Sequence, residues 1–183
     1  MKKTAFVFVL PVLAQVSACA ADQGGARPAR SATTASASAT LLASDGSVRG
    51  SAKVTEAADG LHVMVRATGL TPGMHAVHVH MTGICTPPDF TSAGGHWNPT
   101  GRHHGKDNPD GMHMGDMPNM LAGADGRGEM DYVIPGAMLR GGATPLLDAD
   151  GAAVVIHAQA DDNRSDPAGN AGGRIACGVL TAS

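Results

Sequence analysis

Histidine is the residue type with the clearest capacity for chemistry in this chain of 183 residues. There are nine histidines, and eight of them fall between residues 75 and 157. Histidine is the commonest metal ligand in proteins, so this density predicts a metal site. The nine positions are His62, His75, His78, His80, His96, His103, His104, His113 and His157.

Two of these histidines form the segment His78-Val79-His80, inside a stretch that reads as a strand. Residues at positions i and i+2 of a strand project from the same face, so both imidazoles can reach one metal. His113 and Asp116 lie three residues apart in a glycine-containing turn and can share a metal as well. Imidazoles with a single carboxylate suit copper and zinc better than calcium or magnesium.

Short strands must position these side chains, because no segment has the pattern of a long amphipathic helix. Strand patterns occur at residues 46–55, 61–67, 74–81, 128–134, 152–157 and 174–180. Asp59-Gly60 separates the first two and indicates a hairpin. Residues 82–119 show no long period and carry many of the histidines, which predicts a long functional loop. The fold class is therefore all-β, a sandwich or barrel.

The N-terminus predicts export. Residues 1–19 combine two lysines, a short apolar run and small residues, as in a signal peptide. The segment ending at Cys19 is also similar to a bacterial lipobox, in which the cysteine is lipidated; ordinary cleavage after Ala18 or Ala20 is the alternative. Residues 20–44 are rich in Ala, Ser and Thr and are interpreted as a flexible tether. Residues 45–183 then form the folded domain.

Three cysteines are an odd number for an exported protein. Lipidation of Cys19 would leave Cys85 and Cys177 as a pair that an oxidising compartment allows to form a disulfide. Two free buried thiols are the alternative.

Four motifs together resemble the copper/zinc superoxide dismutase family of bacterial exported type: HAVHVH at 75–80, SAGGHWNP at 92–99, HMGD at 113–116 and GNAGGRIACGV at 169–179. They occur in the family's order, and the resemblance extends over about residues 46–181. It implies an eight-stranded Greek-key β-barrel with two long loops around the active site.

The resemblance also implies roles for individual residues. The implied copper ligands are His78, His80, His96 and His157. The implied zinc ligands are His96, which bridges the two metals, and His104, His113 and Asp116. Asp161 resembles a carboxylate that orients ligand histidines, and Arg174 resembles the guanidinium that receives the anionic substrate. The family's disulfide corresponds to Cys85 and Cys177.

Some histidines and methionines have other interpretations. His103 is adjacent to His104, but His104 precedes a glycine as the family's ligand does. His75 is interpreted as a packing or hydrogen-bonding residue, and His62 as a solvated side chain. Four methionines either belong to a copper-capture loop or simply pack, and packing is the preferred interpretation; they are Met112, Met114, Met117 and Met120.

The function implied is dismutation of superoxide to oxygen and hydrogen peroxide, in the periplasm or cell envelope, with a membrane contact through the N-terminal lipid. Catalysis is expected to depend on Arg174 and His96. Residues 158–166 are shorter and differently charged than the segment that guides substrate in eukaryotic relatives, so steering by that loop is not implied. A non-enzymatic copper/zinc-binding protein on the same fold is the first alternative, and a structural β-sandwich with incidental histidines is the second.

Bulk composition excludes one class of partner and leaves oligomeric state open. The net charge is −3, the isoelectric point is about 6.3 and aromatic residues make up 3% of the chain. Without a basic stripe or aromatic stacking platform, no nucleic acid is expected as a partner. The sequence allows either a monomer or a homodimer.

Overall fold

Strict alternation of buried and exposed residues builds the strands of this protein. A computed structural model describes residue 1 and residues 34–183. In the strand Gly60–Ala67, Leu61, Val63 and Val65 are buried, whereas His62 and Arg66 are exposed. Successive side chains of a strand point to opposite faces, so one face enters the core and the other meets solvent. The hairpin predicted at Asp59-Gly60 is present, since Ala57 pairs with Gly60.

Ten strands are joined in one antiparallel sheet. A single short 3₁₀ turn, Thr91–Ala93, is the only helical element among the described residues. The strands are β1 Ser36–Leu42, β2 Val48–Ala57, β3 Gly60–Ala67, β4 Gly73–His75, β5 Val77–His80, β6 Met120–Ala122, β7 Gly128–Pro135, β8 Ala153–His157, β9 Arg174–Val179 and β10 Thr181–Ala182. The all-β fold class is confirmed.

The sheet closes on itself at Ala76. Its strand order is β4-β6-β7-β3-β2-β1-β9-β8-β5, and β4 and β5, at its two ends, are separated only by Ala76. The chain therefore pairs with β6 before this residue and with β8 after it, which makes a barrel. One residue, Leu180, likewise separates β9 from β10. Counting each interrupted pair as one strand gives the eight strands of the prediction.

Two connections give the barrel its crossovers. The chain passes from β3 to β4 without pairing, although β7 and β6 lie between them in the sheet. It passes from β7 to β8 over residues 136–152 and again skips neighbouring positions in the strand order. This topology is a Greek key.

The predicted tether is wrong over its C-terminal part. Residues 36–42, assigned to the tether, form β1 and pair with β2, β9 and β10. Ala37, Ala39 and Leu41 are buried and alternate with exposed residues. The segment resembled a linker because its buried positions are mostly alanines among serine and threonine. Residues 20–33 of the predicted tether, Cys19 and nearly all of the predicted signal peptide lie outside the described residues.

A large core fills the inside of the barrel, and it includes the fully buried Leu41, Leu61, Val154 and Ile156. A second, smaller apolar cluster lies on the opposite face of β8, under the chain that follows β5. It consists of Phe90, Ala93, Ala153, Val155 and Cys177, with Cys85 packed against it. Among the described residues, no helix has the length and apolar character needed to cross a membrane.

Candidate metal centre

The face of β5 that points away from the core carries the first histidines of the site. Val77 and Val79 enter the core, so His78 and His80 project from the other face. Strand β8 pairs with β5 and ends at His157, where an irregularity in the β8–β9 pairing occurs. Residues 81–119 and 158–173 cover this face, and all three imidazoles are buried.

Residues 81–119 bring a fourth imidazole to this face. His96 forms an isolated bridge with His80, and the backbone of Trp97 pairs with that of Val79 at an N–O distance of 2.8 Å. One ring nitrogen from each of the four imidazoles lies within 4.8 Å of the others. We call this set the four-histidine group: His78, His80, His96 and His157.

Hydrogen bonds on the far side of each ring fix which nitrogen faces the group. Nδ1–H of His80 donates to the carbonyl of Gly94 at 3.0 Å, and Nδ1–H of His157 donates to the carbonyl of Gly172 at 3.3 Å. A carbonyl only accepts, so in both neutral rings Nε2 carries a lone pair directed into the group. His78 is oriented the other way round, because its Nε2–H donates to Asp161 at 2.7 Å.

The four inward nitrogens have no hydrogen-bond partner among the described residues. They are Nδ1 of His78 and Nε2 of His80, His96 and His157. Buried polar atoms without partners are costly, and four converging lone pairs repel one another. A cation at their centre satisfies all four, so the donor set fits a nitrogen-preferring metal.

Burial keeps three of these imidazoles neutral. It lowers the pKa of His96 to about 4 and that of His157 to about 3, with neighbouring histidines adding to the effect at both. Burial also lowers the pKa of His80 well below its ordinary value. Neutral imidazole is the form that coordinates a metal, so these three side chains can bind one at neutral pH.

A second donor set lies behind the first and shares His96 with it. Its members are one carboxylate and three imidazoles, and their ligand atoms lie within 4.8 Å of one another. We call this set the histidine–carboxylate group: His96, His104, His113 and Asp116. His96 thus contributes Nε2 to the four-histidine group and Nδ1 to this one.

The spacing of this second set matches a tetrahedral ion. Oδ1 of Asp116 lies 2.7 Å from Nδ1 of His96, 3.0 Å from Nδ1 of His104 and 3.1 Å from Nδ1 of His113. The Nδ1 atoms of His96 and His113 are 3.4 Å apart. Zinc–nitrogen bonds of about 2.0–2.1 Å give a tetrahedron edge of about 3.3 Å, so the four atoms stand near the corners that such a site requires.

The carboxylate of Asp116 is held by the backbone. Its Oδ2 accepts hydrogen bonds from the N–H groups of Gly105, at 2.9 Å, and His113, at 3.0 Å. Burial alone would raise the pKa of Asp116, but hydrogen bonds from three imidazoles and from the Gly105 amide hold this pKa well below its ordinary value. The side chain is therefore an anion that can offer Oδ1 to a cation.

Asp161 connects the two groups. Its Oδ2 accepts from His78 at 2.7 Å and its Oδ1 accepts from His104 at 2.9 Å. Against the opposing effect of burial, hydrogen bonds to Asp116 and Asp161 raise the pKa of His104 to about 9. Asn119 holds the backbone of Asp161: its side-chain Oδ1 accepts from the Asp161 N–H at 2.7 Å, and its Nδ2 donates to the Asp161 carbonyl at 2.9 Å. No sequence motif identified this residue.

The histidines that are not in either group have separate roles. His104, not His103, lies in the histidine–carboxylate group; His103 is exposed and bonds Asp166 through Nδ1 at 2.5 Å. His75 is buried, with Nδ1–H donating to the carbonyl of His157 at 2.8 Å, as expected of a hydrogen-bonding residue. His62 is exposed and bonds only Asp59 among the described residues.

The methionines of the long loop serve packing. Met117 and Met120 are buried in the main core, and Met114 packs against it. Packing was the preferred interpretation, and it is confirmed for them.

A cavity of about 650 Å³ opens onto the four-histidine group, and Arg174 lines it beside His80, His96 and His157. Two backbone carbonyls hold the half-buried guanidinium: Nη1 donates to Phe90 and Nη2 to Gly94, both at 2.7 Å. No carboxylate neutralises it by an ion pair within the described residues. The cavity therefore presents a positive charge next to the unpartnered nitrogens.

The predicted disulfide is confirmed, and it anchors the segment that holds Arg174. Cys85 and Cys177 are bonded across 92 residues of chain. Cys85 precedes Phe90 and Gly94, whose carbonyls accept from the guanidinium, while Cys177 lies on the same strand as Arg174. The disulfide therefore links the strand that carries Arg174 to the segment whose carbonyls accept its hydrogen bonds.

A family model and two curated relatives all point to one protein family. The family described as copper/zinc superoxide dismutase (SODC) matches residues 48–180. Superoxide dismutase [Cu-Zn] of Caulobacter vibrioides is 45% identical over 148 residues, covering 79% of this chain and 85% of that protein. Superoxide dismutase [Cu-Zn] 2 of Aquifex aeolicus is 44% identical over 146 residues, with the same two coverages.

Solved structures of similar fold belong to the same kind of protein. A SOD-like protein from Bacillus subtilis superimposes with a TM-score of 0.75 at 40% identity, over 79% of this chain and 97% of that one. Cu/Zn superoxide dismutase from Brucella abortus gives a TM-score of 0.64 at 31% identity, over 80% and 99%. The family match, these relatives and the two joined donor groups lead to one conclusion: the chain belongs to the copper/zinc superoxide dismutase family.

Proposed function

We propose that this protein dismutates superoxide, with copper in the four-histidine group and zinc in the histidine–carboxylate group. The observation that carries the proposal is the convergence of four buried imidazole nitrogens without hydrogen-bond partners among the described residues, beside a cavity lined by three of these histidines and by Arg174. The relatives named superoxide dismutase [Cu-Zn] support the same activity.

The reaction takes two superoxide anions and two protons to oxygen and hydrogen peroxide. Bound copper would supply the one-electron couple that this exchange needs, whereas zinc in a four-ligand protein site serves a structural role. One superoxide gives up an electron and leaves as oxygen, and the second gains an electron and two protons and leaves as hydrogen peroxide.

Arg174 attracts and orients the anion. Its guanidinium is immobilised by the carbonyls of Phe90 and Gly94, and the second of these carbonyls also fixes the ring of His80. One backbone oxygen therefore sets the position of the positive charge relative to the four-histidine group. A charge focused in a low-dielectric cleft raises the on-rate of an oppositely charged substrate by about 10–10³.

His96 is the residue suited to hold a proton at the site. Its Nε2 faces the cavity side and lacks a partner among the described residues, while Nδ1 lies 2.7 Å from Asp116. With Nδ1 held by the histidine–carboxylate group, Nε2 can take up a proton and pass it to the reduced substrate without the ring turning. We assign His96 as the bridge between the two groups on this basis.

The place of action that we propose is the cell envelope. Residues 1–19 have the features of a signal peptide, with Cys19 as the lipid attachment point, and the Cys85–Cys177 disulfide suits an oxidising compartment. Export would place the enzyme in the periplasm, where it consumes superoxide close to the membrane.

The test is superoxide consumption by the full chain carrying one equivalent each of copper and zinc, measured by stopped flow against the zinc-only protein. We expect catalysis only with copper, and a decrease of about ten-fold or more in Arg174→Ala. Arg66→Ala, which removes an exposed arginine on the barrel, is the matched control and should leave the rate unchanged.

A second candidate is metal binding without turnover. One relative, 42% identical over 143 residues, is named only superoxide dismutase-like. Tight binding of both metals with no superoxide consumption by the unaltered protein would favour this candidate and contradict the first.

A further inference from the structure

The lining of the cavity carries more negative than positive fixed charge. Besides Arg174, the lining side chains of fixed charge are the carboxylates of Asp148 and Asp150. Both aspartates are exposed, and neither belongs to the lysine and arginine ion pairs of residues 34–183. An anion that enters this cavity toward Arg174 therefore comes within the field of two carboxylates that have no lysine or arginine ion pair among the described residues.

A tight turn fixes these carboxylates near the site. The Asp150 N–H bonds Oδ1 of Asp148 at 3.3 Å, and the carbonyl of Asp150 accepts from the N–H of Gly83 at 2.7 Å. Gly83 follows His80 by three residues, so the turn is attached to the end of the strand that supplies two imidazoles. Arg140 lines a shallow depression outside the cavity together with Asp148 and Asp150, and it forms no ion pair with either aspartate.

We propose that Asp148 and Asp150 set the charge selectivity of the route to the four-histidine group, slowing the entry of anions and speeding the entry of cations. They act through their field on ions that enter the cavity and do not serve as ligands. The route thus favours loading with a metal cation at a cost in superoxide capture. The slower entry of superoxide rests on the proposed function, whereas the faster entry of metal cations does not depend on it.

The expected effect of the two carboxylates on the entry rates follows from Coulomb's law. A unit charge about 10 Å from the path changes the local concentration of a monovalent ion in water by about two-fold, so two carboxylates give about four-fold at low ionic strength. A divalent cation feels a larger effect of opposite sign. The Debye length falls from about 30 Å at 0.01 M to about 8 Å at 0.15 M salt, so both effects shrink as salt is added.

The test compares Asp148→Asn/Asp150→Asn with the unaltered full chain. Asparagine keeps Oδ1, so the turn retains its acceptor while losing its charge. The matched control is Asp45→Asn/Asp131→Asn, which removes the same charge from exposed positions outside the cavity; Asp45 also accepts from a backbone N–H two residues on, at 2.8 Å.

Two rates are measured at 0.01 M and 0.15 M salt. The first is superoxide consumption by the copper- and zinc-loaded protein. The second is Cu²⁺ uptake by the metal-free protein, followed by quenching of the single tryptophan, Trp97, which lines the cavity next to His96. We expect the first rate to rise about two- to five-fold at low salt and the second to fall by at least as much, with neither changed in the control.

A change of both rates in the same direction indicates altered structure and overturns the proposal, as does an equal effect in the control. If the unaltered loaded protein consumes no superoxide, the proposed function fails. Copper uptake then decides the selectivity proposal alone, and an uptake rate unaffected by the two substitutions overturns it.

Discussion

Removing the Cys85–Cys177 cross-link should cost this protein a large part of its stability. The bond closes a loop of 92 residues. In the chain-entropy treatment, opening such a loop lowers the free energy of unfolding by about 4–5 kcal/mol at 25 °C. Domains of this size are stable by about 5–15 kcal/mol, so the double variant Cys85→Ala/Cys177→Ala should be marginal.

The assay is urea unfolding of the metal-free protein, because bound metal would add its own stabilisation. The variant should unfold at lower urea with a larger m-value, since the unfolded chain without the cross-link exposes more surface. Val155→Ala, in the same apolar cluster, is the control for lost packing and should change the midpoint with no change in m. A loss below about 1 kcal/mol with an unchanged m-value would refute the reasoning.

Three further predictions concern the core and the metal groups. Leu61→Ala, at a fully buried core position, should lower the free energy of unfolding by about 2–5 kcal/mol, whereas a loss under 1 kcal/mol would contradict the core assignment. Asp161→Asn should weaken metal binding by about 10–100-fold in chelator competition, because His78 and His104 lose their carboxylate; unchanged affinity would deny it an orienting role. Adding copper and zinc to the metal-free protein should raise its melting temperature by an amount that grows with metal concentration, and an unchanged value would contradict binding to the native state.

Sequence patterns predicted the elements in which large apolar residues alternate with polar ones. Leu61, Val63 and Val65 identify their strand because each contributes a bulky side chain at a period of two. Strand β1 follows the same period, but its buried positions include Ala37 and Ala39, which are common in linkers as well. Composition therefore suggested a tether where pairing with β2 and β9 builds a strand.

The sequence motifs predicted the metal-ligating residues but not the residues that hold them in position. The seven ligand residues that the family motifs implied all lie in the two donor groups. The amide of Asn119, the carbonyls of Phe90 and Gly94, and the closure at Ala76 depend on contacts between segments far apart in the chain. Backbone acceptors have no residue-type signature, so a single sequence cannot predict them.

The central claim is that superoxide is consumed at the four-histidine group. The most direct measurement is the rate of superoxide consumption by the copper- and zinc-loaded full chain, set beside His80→Ala and the control His62→Ala, whose histidine is exposed. We predict fast consumption that survives in His62→Ala and is lost, together with one copper equivalent, in His80→Ala. Equal consumption by His80→Ala and the unaltered protein would contradict the account.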